Sequence, residues 1–132
     1  MFRRITAAVL FVEDFEACFK FYSEQVGLEV AMREPAFAAF RMDDQDFAIQ
    51  GLDQSADMVN LKTADFEPQT GKTDRVLLCT RVDNVDEVYE TLKSRGVPFT
   101  REPADEEWGL RCTYFTDPEG NIWEIGQPIR QD

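Results

Sequence analysis

The chain has no histidine among its 132 residues. This removes the commonest metal-binding nitrogen and the commonest acid–base group near neutral pH. Any chemistry would have to run on carboxylates, amides, phenols, thiols, arginine or lysine. Trp108 follows Glu106 and Glu107, and an indole beside acids can either stack on a flat cationic ligand or plug a cavity rim. Cys18, Cys79 and Cys112 are odd in number, widely spaced and set in apolar stretches. They read as small buried hydrophobes, not as a disulfide framework or a zinc site. With no histidine to activate it, Cys79 would be a poor nucleophile.

The formal charge of -12 disfavours attraction to nucleic-acid phosphates and favours cationic ligands at long range. With 43% hydrophobic residues, including 11 Phe and 2 Trp, the chain can bury a substantial core. The N-terminal apolar run Ile5 to Val12 ends at Glu13-Asp14 without a small-residue cleavage site, so it reads as a strand and not as a signal peptide. No stretch approaches the length of a membrane span. A cytoplasmic location is expected.

The elements that would position these residues come twice. Setting Val9 on Cys79 aligns an apolar run ending at Asp14 with one ending at Asn84, and either residue can cap a helix. Phe15, Cys18, Phe19 and Tyr22 follow the first cap; Val85, Val88, Tyr89 and Leu92 follow the second. These spacings describe amphipathic helices with one buried face. Each stops near a glycine, Gly27 or Gly96. Short strands are expected at Leu28–Met32 and Val97–Thr100. Hairpins are expected at Ala36–Met42 with Asp46–Gly51, and at Leu110–Thr116 with Asn121–Gly126, the second turning at Asp117-Pro118-Glu119-Gly120. The fold class is therefore α+β, with a βαβββ module at 1–52, a polar linker at 53–74 ending near Gly71-Lys72-Thr73-Asp74, and a second βαβββ module at 75–132.

Paired modules of this length resemble the vicinal oxygen chelate superfamily, which includes glyoxalase I, extradiol dioxygenases and the fosfomycin- and bleomycin-resistance proteins. The strongest local match is Trp108-Gly109-Leu110-Arg111, then Tyr114-Phe115-Thr116-Asp117-Pro118-Glu119-Gly120-Asn121, then Trp123-Glu124. The resemblance implies curved sheets enclosing a cavity, and often a homodimer whose sites use both chains.

The resemblance also implies where metal ligands would stand. One lies seven residues before each helix cap, at Ala7 and Leu77; one lies in the last strand, at Glu124; and one lies in the fourth strand, in a register open between Ala48, Ile49 and Gln50. Ala and Leu cannot coordinate, and of the three alternatives only Gln50 could. A catalytic divalent site needs about three protein ligands, so neither a metal nor another cofactor is expected. The metal-dependent activities of the family become doubtful with it, and the chain leans away from being an enzyme.

Strand alternation turns Ala7, Val9 and Phe11 of the first strand, Leu77, Cys79 and Arg81 of the fifth, and Ile122 with Glu124 of the last toward the cavity. A largely apolar pocket results, with Glu124, Arg81 and Arg111 as its ionic groups. Glu124 could fix a cationic group or act as a base, or it could be the ion-pair partner of Arg81 or Arg111. The expected ligand-binding residues are Phe11, Gln50, Arg81, Trp108, Arg111 and Glu124, and no catalytic residue is expected. The pattern is most similar to the metal-free bleomycin-resistance type, a homodimer that sequesters a cationic or aromatic small molecule and engages neither nucleic acid nor membrane. The alternative is a lyase or isomerase with an atypical site centred on Glu124.

Overall fold

The computed structural model describes residues 1, 3–67 and 76–129, so the expected linker end at Gly71-Lys72-Thr73-Asp74 lies outside the described residues. The chain divides into two compact units, Met1–Thr70 and Gly71–Asp132. Each carries a four-stranded mixed sheet. The first has the order β1-β4-β3-β2, with β1 Ala7–Val12, β2 Val30–Glu34, β3 Phe37–Phe40 and β4 Asp46–Gly51. The second has the order β5-β8-β7-β6, with β5 Leu77–Arg81, β6 Ala104–Asp105, β7 Leu110–Thr116 and β8 Ile122–Pro128. In both, the first strand pairs in parallel with the last, and the remaining pairs are antiparallel.

The helices start where side chains can satisfy their first free N–H groups. Asp14 Oδ1 accepts from Ala17 N at 3.1 Å, opening α1 at Phe15–Lys20, which continues as π-type turns over Phe21–Val26. Asn84 Oδ1 accepts from Glu87 N at 3.1 Å, opening α3 at Val85–Ser94. Gly27 ends the first helix at φ 86°, a left-handed conformation that costs glycine nothing. The hydrophobic faces then pack as the spacing requires. In the first unit, Tyr22 meets Phe47 edge-on at 5.2 Å while Phe40 stacks on Phe47 at 5.8 Å. In the second, Val85, Tyr89 and Leu92 are buried beside a sheet face carrying Phe115 and Trp123, stacked at 5.8 Å.

The last hairpin is held by Asp117. Its Oδ1 accepts from the backbone N–H groups of Glu119 and Asn121, each at 2.9 Å, and its Oδ2 accepts from Asn121 Nδ2 at 2.8 Å. This turn fixes the register of β7 on β8.

Three expectations change. The strand expected at Leu28–Met32 is displaced to Val30–Glu34, beside an irregularity between Val30 and Met32. Val97–Thr100 yields an isolated bridge, Phe99 to Phe115, and the full strand comes later at Ala104–Asp105; Pro98 supplies no N–H to a ladder. Finally, the stretch expected to begin the linker opens with α2, Leu52–Met58, followed by a 3-10 turn at Thr63–Asp65. The buried Ser55 hydroxyl lies 2.9 Å from both Gly51 O and Gln50 Oε1, which share its one proton, and this ties α2 to the end of β4.

Candidate functional site

The second sheet places Leu77, Cys79 and Arg81 of β5 beside Ile122, Glu124 and Gly126 of β8, in parallel register. Across β8 lie Thr116, Tyr114 and Cys112 of β7. These nine residues share one face by strand alternation. Glu124 is its centre and is only 7% exposed. Arg81 Nη1 reaches its Oε1 at 3.2 Å, and Tyr114 OH donates to its Oε2 at 3.2 Å. Each carboxylate oxygen therefore has a donor, as a buried carboxylate requires.

The network continues past Tyr114. Its hydroxyl lies 3.6 Å from Cys112 Sγ, and Arg101 Nη2 reaches Cys112 O at 3.2 Å and Sγ at 3.4 Å. Arg101 pairs with Glu106 at 2.7 Å and lies over the Tyr114 ring at 5.2 Å. The hydrogen bond with Cys112, then burial, with the hydrogen bond and charge of Glu124 as smaller contributions, push the Tyr114 phenol well above its ordinary range, so it is a protonated donor at neutral pH. Burial, and next the negative Glu124, also raise the Cys79 thiol, with Arg81 opposing. Cys79 is exposed, a correction to the reading of all three cysteines as buried. It sits on an edge strand facing outward and holds its proton.

The sequence-derived residues fall into separate groups. Arg81 and Glu124 meet. Phe11 and Gln50 are cross-strand partners in the first sheet; Phe11 packs edge-on to Phe66 at 5.9 Å, and the Gln50 amide oxygen is engaged by Ser55. Trp108 stands 61% exposed in the turn closed by Gly109 N–H to Glu106 O at 3.1 Å. Arg111 does not reach Glu124. It is odd in a strand whose even residues face Glu124, so it emerges on the opposite side. There its Nε and Nη2 grip Asp86 at 2.9 and 2.8 Å and its Nη1 reaches Asp105 at 3.2 Å. It lines a cleft of about 630 Å³ with Val82, Asp83, Asp105 and Gln127.

Sequence reasoning missed Tyr114, Cys112, Arg101 and Gly126. Tyr114 and Cys112 were reachable by carrying the alternation of β8 across the hairpin. Arg101, in an irregular segment, left no periodic signal.

Register also resolves the fourth-strand ambiguity. Ala7 pairs with Asp46 and Leu77 with Ile122, so the first-module counterpart of Glu124 is Ala48 and that of Gly126 is Gln50. The positions where the family resemblance implies metal ligands are thus Ala7, Ala48, Leu77 and Glu124. Three carry no donor atom, and the fourth has both oxygens engaged. Among the described residues no group of three or more Cys, Asp or Glu side chains is placed to hold a metal ion. The donor set does not fit a tight divalent metal. Among the described residues, no helix is long and apolar enough to cross a membrane.

Comparison with known proteins agrees with this architecture. The uncharacterized protein YraH of Bacillus subtilis (strain 168) is 29% identical over 119 residues, covering 88% of this chain and 91% of that protein. A crystal structure of a glyoxalase/bleomycin resistance protein/dioxygenase from Nocardioides superposes with a TM-score of 0.82 at 29% identity, covering 100% of this chain and 87% of that one. A lactoylglutathione lyase from Agrobacterium tumefaciens gives a TM-score of 0.71 at 23% identity over 94% of this chain and 92% of that one, a likeness of fold. The family model for the Glyoxalase/Bleomycin resistance protein/Dioxygenase superfamily matches residues 4–125, and the chain belongs to that superfamily.

Proposed function

We propose that this chain is a metal-independent binding member of the superfamily, akin to the sequestering bleomycin-resistance type, which acts as a homodimer and holds a small aromatic compound without transforming it. One observation carries the reading. Glu124 alone has donor atoms among the four positions where ligands are implied, and Arg81 and Tyr114 occupy its two oxygens. A carboxylate so engaged orients its neighbours and is poorly placed either to coordinate a cation or to accept a substrate proton. Exposed Leu77, Cys79 and half-exposed Arg81 on the same face give the mixture of apolar surface and sparse polar groups typical of a small-molecule site.

The test is a thermal-shift panel of small aromatic compounds of each charge on protein stripped with EDTA. Selective binding to the folded state raises the melting temperature with ligand concentration. The expected result is a saturable rise that added Zn, Mn or Ni leaves unchanged. A rise that requires metal, or none from any compound, would overturn the reading.

A further inference from the structure

Two arginines of the second unit use the same edge of the guanidinium differently. Arg111 is a completed clamp: Nη1 holds Asp105 at 3.2 Å, while Nε and Nη2 form a fork on the two oxygens of Asp86. Arg81 repeats the first half of that arrangement. Its Nη1 holds Glu124 at 3.2 Å and also donates to Thr80 O at 3.0 Å, but Nε and Nη2 bond to no described residue. The side chain is half exposed. It is also laid against the sheet, because Gly126 has no Cβ; one built there would stand 3.1 Å from Nη1 and 3.5 Å from Cζ. The fork is therefore oriented by Glu124 below it, on the face that exposes Leu77 and Cys79.

We infer that the Nε–Nη2 edge of Arg81 anchors a carboxylate of the bound compound, with Leu77 and Cys79 against its apolar part. The inference rests on the binding reading above and names the ligand class for that site. A planar guanidinium can serve two carboxylates through separate edges, which a lysine cannot do; Arg111 does so in this chain. The net charge of -12 favours cations only at long range, where salt screens it over about 10 Å. Local donors decide affinity once contact is made. Glu124 is a positioning residue in this account, and Arg81 is the contact.

The experiment compares benzoate, benzamide and benzylamine, one ring in three charge states, by NMR titration of the full chain. The Arg81 Nε–Hε signal is assigned by its loss in Arg81→Lys. Benzoate is expected to bind about tenfold or more tighter than benzamide, as a charge-assisted pair does, and to shift the Arg81 signal saturably. In Arg81→Lys the preference is expected to fall to about threefold or less, while backbone amide signals unchanged away from β5 show that the fold survives. Benzoate no tighter than benzamide, benzylamine tightest, or benzoate binding that leaves the wild-type Arg81 signal unmoved would overturn the inference. Those outcomes leave the small-molecule reading standing, because a ligand still binds. Failure of every compound here and in the thermal panel would overturn both.

Discussion

Arg81 lies over Gly126, where a Cβ would stand 3.1 Å from Nη1, and from there Nη1 reaches Glu124 at 3.2 Å. The corresponding positions of the first module hold Phe11 and Gln50, with Ala48 in place of Glu124. The two halves share a backbone plan but not this ionic centre.

Gly126→Ala tests that relationship. At 3.1 Å the new methyl is closer than an ordinary contact, so the Arg81 guanidinium must give by a few tenths of an ångström and its 3.2 Å contact with Glu124 is strained. A loss of about 1 kcal/mol is expected in urea denaturation, smaller than for a fully buried pair because Arg81 is half exposed. In an Arg81→Gln background the same substitution is expected to be neutral or slightly stabilising, as Gly→Ala is where nothing obstructs it. Equal costs in both backgrounds would show that the close approach is unimportant.

Tyr114→Phe removes the donor to Glu124 Oε2. Leaving that buried oxygen without its partner should cost roughly 1–3 kcal/mol, read from the same denaturation curves. Wild-type stability would mean that the phenol contributes nothing to holding Glu124.

The exposed Cys79 thiol should alkylate slowly at pH 7–8, because burial and Glu124 raise its pKa. Only the thiolate reacts. Glu124→Gln is expected to accelerate labelling by iodoacetamide, followed by mass spectrometry, and Arg81→Gln to retard it. Cys18 and Cys112, both buried, should label only on unfolding. The opposite order of the two variants would contradict the electrostatic assignment.

Asp86 titrates low, chiefly because Arg111 hydrogen-bonds its carboxylate. A folded-state pKa held below the unfolded one contributes stability that is fully present above the ordinary aspartate range and is lost as pH falls through the depressed value. The stability gap between wild type and Asp86→Asn should therefore be open at pH 7 and close below about pH 3. Both partners are solvent-facing, so the gap should be small and should shrink in salt. A gap that widens in acid would reverse the assignment.

Local chemistry made much of the fold legible. Asp14 and Asn84 cap helices whose apolar spacing is explicit, and the Asp117 to Asn121 turn announces its hairpin. What escaped depends on longer-range facts. The β1–β4 register is parallel and non-local, so no turn chemistry distinguishes Ala48 from Gln50. Helix α2 buries Ser55 and Ala56 instead of large apolar residues, so the stretch from residue 53 onward reads as a polar linker. In the site, alternation brought Arg81 to Glu124 correctly. The charge of Arg111 suggests the same place, but its odd position in β7 sends it to Asp86. The role of Gly126 has no sequence signal, since a glycine in a strand looks the same whether or not an arginine lies over it.

The most direct measurement of the central claim is the elemental metal content of the purified protein with any polyhistidine tag removed, since the chain itself has no histidine. Metal independence predicts Fe, Zn, Mn and Ni far below stoichiometric amounts, both as isolated and after incubation with each ion and desalting. Near-stoichiometric retention of any one of them, lost in Glu124→Gln, would contradict the account and make Glu124 a ligand.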